Sequence, residues 1–240
     1  MLNTQTGERP LYFFLGSSGE EVSVILAQSG GAGNRVRVLV TAGDKAVGEH
    51  TINEVLPLTF ALVQTKLVYL KQPNPAASSQ VTGAWALDLS TGASAPVPLP
   101  CTPLLLASDG GRLAMAGPDP MGTMMLSVVD AAFKQVATTS IPDVSRGELL
   151  RSFLSYAAGN TILFVNPSNA SYTRFDIGNA LKRGPRVQLS GSEITLSKQK
   201  QPAGQTLRSI VILAHLTARS GKDLFLLGPY KPSEGFRLAE

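Results

Sequence analysis

Short apolar strands recur along this chain at a spacing that leaves few architectures open. Runs of five to eight residues rich in Val, Leu, Ile and Phe are bounded by Gly, Pro, Asn, Asp and Ser, the pattern of antiparallel strands closed by tight turns. The runs group in fours. Leu11 to Leu15, Glu21 to Gln28, Arg35 to Val40 and Lys45 to Ile52 make one meander. Leu58 to Gln64, Lys66 to Lys71, Gly83 to Leu89 and Ser94 to Leu99 make the next. A third runs through Thr102 to Ala107, Arg112 to Gly117, Met124 to Val129 and Gln135 to Ile141. A fourth comprises Arg151 to Tyr156, Thr161 to Asn166, Tyr172 to Ile177 and Arg186 to Leu189. The last comprises Ile194 to Ser197, Leu207 to Leu216, Lys222 to Leu227 and Phe236 to Ala239.

Five units over 240 residues average about 48 residues each, and four strands at that period are the sequence signature of a β-propeller. One four-stranded meander cannot bury both of its faces. Radial stacking solves this, because each face packs against the next blade. Inner strands must then be apolar on both sides, as in Val24-Ile25-Leu26 and Leu104-Leu105-Leu106. The 3.6-residue period of a helix is nearly absent. The one candidate lies within Ser145 to Ser155, where Glu148, Leu149, Leu150, Phe153 and Leu154 fit one or two turns.

Composition excludes several other classes. With 43% hydrophobic and 16% charged residues, the chain is too apolar for a disordered segment. One cysteine, Cys101, leaves no intrachain disulfide framework, and two histidines leave little for a zinc site. The net charge of +4 is mild. Its densest groups are Lys198, Lys200 and Arg208, and Lys182-Arg183 with Arg186. They read as solvated loop charge rather than a nucleic-acid patch. No run of 18 apolar residues is present, so no membrane-spanning helix is expected. Met1 to Pro10 lacks a basic start and an apolar stretch, and the expectation is a soluble, cytoplasmic protein.

Two passages carry a resemblance. Ala107-Ser108-Asp109-Gly110-Gly111-Arg112-Leu113-Ala114-Met115-Ala116 resembles the Ser-Pro-Asp-Gly passage of TolB-like and WD40-like blades, where an Asp-Gly turn joins the first two strands. Trp85-Ala86-Leu87-Asp88-Leu89-Ser90-Thr91-Gly92 resembles the third-strand passage of the same blades. Val128-Val129-Asp130-Ala131 and Arg174-Phe175-Asp176-Ile177-Gly178 look like degenerate copies, and Asn3 to Glu8 is similar to the turn again. The usual proline, the Trp-Asp ending and the Gly-His pair are missing, so no WD40 structural tetrad carries over. The resemblance implies an all-β propeller of about five four-stranded antiparallel blades, one domain over residues 1–240. Three readings stay open: a complete five-bladed ring, part of a larger propeller completed by missing sequence or another chain, and another antiparallel sandwich or barrel.

No residue is assigned a catalytic, cofactor-binding or metal role. Ser29 to Asn34 is Gly-rich but precedes an alternating strand without Gly-Lys-Ser/Thr, so it reads as a hairpin loop rather than a phosphate cradle. Gly16-Ser17-Ser18-Gly19 lacks the helix of a nucleophile elbow. Cys101, between Pro100 and Pro103, has no activating cation nearby in sequence. Asp88, Asp109, Asp130 and Asp176 stand beside turns, where carboxylates accept backbone N–H bonds. His50 and His215 sit in strand patterns and read as hydrogen-bonded structural residues. Asn169-Ala170-Ser171 marks an exposed loop, and Met121, Met124 and Met125 form a soft group near Pro118.

The expected function is a non-catalytic scaffold for protein partners within a larger assembly. The alternative is a hydrolase or small-ligand propeller in which the four aspartates converge on a central channel.

Overall fold

The computed structural model describes residues 7–16, 18–28, 34–71, 83–157, 160–167 and 171–188, residues 57 and 58 as backbone only, together with strand backbone at 210–217, 223–229 and 237–239. The strands fall into antiparallel meanders at the expected places. The first blade holds β1 (Arg9–Leu15), β2 (Glu21–Gln28), β3 (Asn34–Ala42) and the first part of β4 (Lys45–Val63). The second holds the end of β4, β5 (Lys66–Lys71), β6 (Ala84–Asp88) and β7 (Ser94–Val97). The third comprises β8 (Leu105–Ser108), β9 (Arg112–Pro118), β10 (Met124–Asp130) and β11 (Gln135–Ser140). The fourth comprises β12 (Phe153–Ala157), β13 (Thr161–Asn166), β14 (Ser171–Ile177) and β15 (Leu181–Gln188). A three-stranded meander follows, β16 (Ile210–Thr217), β17 (Asp223–Pro229) and β18 (Arg237–Ala239). The expected strand Ile194 to Ser197 lies outside the described residues.

One junction differs from the sequence reading. Lys45 to Ile52 and Leu58 to Gln64 are expected as separate strands, yet β4 runs unbroken through both. Glu54 takes φ 58°, and the Asn34 amide donates to the Val55 carbonyl at 3.1 Å. The register then shifts between Leu56 and Phe60, a β-bulge that turns the strand while keeping it paired. The outer strand of one blade thus continues directly as the inner strand of the next.

The stacking follows from side-chain alternation, since successive strand residues point to opposite faces. In β9, Leu113 and Met115 enter the core shared with the second blade, while Ala114 and Ala116 enter the core shared with the fourth. In β5, Leu67 and Tyr69 face the first blade, and Val68 and Leu70 face the third. In β4, Phe60 and Leu62 face one way, Ala61 and Val63 the other. Three apolar cores therefore lie between four successive blades. Burial on both faces explains why the inner two strands are continuous apolar runs. The first strands of the second, third and fourth blades touch one another, β4 with β8 and β8 with β12, so they are the inner strands of the radial array.

The helix candidate resolves into two elements. Residues Arg146–Leu149 form one turn, α1, capped by the Ser145 hydroxyl, which accepts from the Glu148 N–H at 3.1 Å. Leu149 plugs the core between the third and fourth blades. The following segment is strand β12 because Leu154 must alternate into that same core.

Candidate functional site

In an antiparallel meander the turns after the first and third strands share one end of the blade. Three of the turns on that end are each organised by an aspartate. The Asp88 carboxylate accepts from the N–H of Ser90 at 2.9 Å and of Thr91 at 3.2 Å, and from the Ser90 hydroxyl at 2.5 Å. Asp109 accepts from the N–H of Gly111 at 2.9 Å and of Arg112 at 2.7 Å. Asp130 accepts from the N–H of Ala132 and of Lys134, both at 2.9 Å. Asp176 lies on β14 and accepts from the Thr161 hydroxyl at 3.0 Å. The expectation that aspartates beside turns accept backbone N–H bonds describes Asp88, Asp109 and Asp130, whereas Asp176 bonds to a hydroxyl on the neighbouring strand.

Their positions bear on the channel alternative. Asp88, Asp130 and Asp176 belong to third strands of three different blades. Neighbouring strands are about 4.8 Å apart, so a third strand lies about 10 Å further out than the first. Only Asp109 sits in a turn that follows an inner strand. Ser90 hydrogen bonds hold the Asp88 carboxyl below its usual value. Burial pushes the Asp109 carboxyl up, but the Arg112 side chain and the Gly111 and Arg112 N–H groups outweigh it and hold it low. Among the described residues no three of His, Cys, Asp and Glu gather as a metal site would require.

The same end carries ties between blades that the sequence did not reveal. Asp109 pairs with Arg112 at 2.6 Å. Arg112 reaches across to donate to the Asn160 side-chain oxygen, and its guanidinium lies 5.6 Å from the Tyr156 ring. The Asn160 amide in turn donates to the Ile177 carbonyl at 2.5 Å. The Gln64 N–H donates to the Gly110 carbonyl at 2.8 Å, and Lys66 stands 5.2 Å over the Phe133 ring. Arg112 and Asn160 are 48 residues apart, so only the blade stacking brings them together.

Between the first two blades this end opens into a cleft of about 180 Å³. Val22, Val40 and Leu62 form its buried floor, and Leu89 is half-buried beside them. Val47, 59% exposed, stands at the rim. Leu15, 70% exposed, precedes the lining residue Gly16. Glu20 is the one charged residue lining it among the described residues. His50 stays outside the lining, its Nε2 placed 3.0 Å from the Leu89 carbonyl oxygen, which fixes the turn that forms one wall. Sequence reasoning had no means of finding this cleft, because its walls come from four turns and strands of two blades.

The remaining sequence candidates fall into place as follows. Cys101 is buried, and burial with the nearby Asp119 pushes its thiol up to about 12, which makes it inert. Met124 and Met125 pack against two different cores while Met121 is exposed. Arg183 pairs with Asp143 at 2.6 Å and Arg186 with Glu148 at 3.1 Å. These two cations hold the α1 link against the fourth blade rather than forming a free basic patch. Gly16 and Glu20 close a hairpin, the Gly16 N–H donating to the Glu20 carbonyl at 2.7 Å. Residues 29–33 and 168–170, Lys198, Lys200, Arg208 and the His215 side chain lie outside the described residues.

No protein-family model matches the chain, and no curated protein does. Solved structures do. The WD40 domain of coronin from Toxoplasma gondii superposes with a TM-score of 0.53 at 12% identity, over 96% of this chain and 55% of that one. The β-propeller domain of the trilobed protease from Pyrococcus furiosus gives 0.49 at 12% identity, over 96% and 68%. An uncharacterized protein from Listeria monocytogenes gives 0.44 at 11%, over 76% and 53%. The chain thus spans about half the length of two of these structures. The meanders and the coronin superposition define a propeller-type repeat protein with WD40-like blades. No described helix is long and apolar enough to cross a membrane.

Proposed function

We propose that this chain is a non-catalytic β-propeller scaffold, one domain over residues 1–240, that binds a protein partner as a subunit of a larger assembly. One observation carries the reading. Asp88, Asp109 and Asp130 on the turn face are engaged in their own turns, while the same face holds an apolar cleft with Val47 exposed at its rim. Rigid blades presenting turns and a shallow apolar site suit recognition of another chain better than acid–base chemistry. The reading extends to a cytoplasmic location, in keeping with a lone cysteine held buried as a thiol.

The test is mild affinity purification of the tagged full chain from its own cells, read for stoichiometry and sedimentation. A defined partner near one-to-one is expected. Recovery of the chain alone as a monomer overturns the proposal.

A further inference from the structure

The cleft between the first two blades has three properties that together select an occupant. Its volume of about 180 Å³ is below the roughly 300–1,000 Å³ of pockets that enclose cofactors and drug-sized ligands. It is a space for one or two side chains. Its floor is Val22, Val40 and Leu62, without a buried charge, so an apolar group covers the floor without stripping water from a charge there. Its charge is one-sided. Glu20 lines it and has no ion-pair partner among the described residues. The Asp88 carboxylate stands just behind the wall, bonded to the lining residue Ser90. Lys66, the nearest cation in sequence to the lining residue Thr65, points away to the Ala131 carbonyl at 3.4 Å. Among the described residues the one charge that lines the cleft is therefore negative, in a chain whose net charge is +4.

We infer that this cleft takes an apolar side chain of a partner peptide, with an adjacent Lys or Arg of that peptide facing Glu20. This assignment rests on the scaffold role and names the partner's chemistry. The apolar side chain supplies the affinity by covering the floor and Val47. The basic neighbour supplies selectivity, because an acidic one in its place meets Glu20 and Asp88.

Random heptapeptides displayed on phage and selected on the immobilised full chain test this, using wild-type, Glu20→Lys and Val47→Asp proteins whose melting temperatures are compared first. Wild type is expected to enrich an apolar residue beside Lys or Arg. Glu20→Lys is expected to weaken those peptides roughly two- to fivefold, the scale of an exposed charge pair, and to select acidic neighbours instead. Val47→Asp is expected to weaken them while keeping the basic preference. No enrichment, or enriched peptides that bind all three proteins equally, overturns the assignment. Purification from cells separates the two layers. A native partner retained by Glu20→Lys and Val47→Asp leaves the scaffold role standing and removes the cleft from it. Absence of any partner removes the scaffold role itself.

Discussion

Gly117 is where the second strand of the third blade meets the chain entering its first. A Cβ at this position would lie 1.9 Å from the Thr102 carbonyl oxygen, 2.9 Å from its carbon and 3.1 Å from the Leu104 nitrogen. All three are backbone atoms, so no rotamer change relieves the clash. The segment must move outward and strain two bonds, from the Thr102 N–H to the Pro118 carbonyl at 2.9 Å and from the Leu104 N–H to the Ala116 carbonyl at 2.8 Å. Overpacking costs about 1–3 kcal/mol, and each weakened bond about 1 kcal/mol. Gly117→Ala should therefore cost about 2–5 kcal/mol, a large share of the roughly 5–15 kcal/mol that holds a domain together. At about 2–4 °C per kcal/mol for a chain of this size, the midpoint should fall by about 4–20 °C. Gly111→Ala is the control. Its Cβ would meet only the Asp109 carboxylate at 3.7 Å, an ordinary contact, and lower chain entropy should make it neutral or slightly stabilising. Thermal and urea unfolding followed by circular dichroism compare the two. A Gly117→Ala protein melting within about 2 °C of Gly111→Ala would refute the close-approach argument.

Other expectations follow from single groups. The Tyr156 hydroxyl is buried without a hydrogen-bond partner among the described residues, so Tyr156→Phe should hold or raise the melting temperature, by up to the roughly 1–3 kcal/mol of an unsatisfied group; a clear fall would reveal a hidden partner. Asp88, Asp109 and Asp143 all titrate below their ordinary values, through Ser90, through Arg112 and backbone N–H groups against burial, and through Arg183 respectively. Their stabilisation is complete above the unfolded carboxyl value near about 4 and is lost as pH falls through the lower folded values. The urea midpoint should drop on acidification below about pH 4, and Asp109→Asn should flatten that drop; an unchanged slope counts against the Arg112 tie. Cys101 should resist iodoacetamide at pH 8 in the folded chain and react promptly in urea, because burial holds the thiol protonated; rapid native labelling would contradict its placement in the core between the second and third blades.

Much of the fold was legible because its physics is local. The continuous apolar runs within Lys66 to Lys71 and Arg112 to Pro118 report burial on both faces, and Asp88, Asp109 and Asp130 announce turns they go on to build. The errors came where local signals competed. Lys45 to Ile52 and Leu58 to Gln64 read as separate strands, but the positive φ of Glu54 and the Asn34 bond absorb the turn within one continuous strand. Leu149 with Phe153 and Leu150 with Leu154 have helical spacing, yet only Arg146–Leu149 is helical, since Leu149 and Leu154 reach the same core from different elements. The cleft and the Arg112–Asn160 tie were invisible in sequence. They exist only between blades, and no period along one chain encodes which turns will face each other.

The most direct test of the central claim, that the turn face between the first two blades is the partner-binding surface, is hydrogen–deuterium exchange on the full chain, free and with its co-purified partner. Added protection is expected in the segments around Glu20, Val47, Gln64 and Ser90, which line the cleft. Protection confined to the opposite end, at the Asp119 to Thr123 turn, with the cleft segments unchanged, would contradict it.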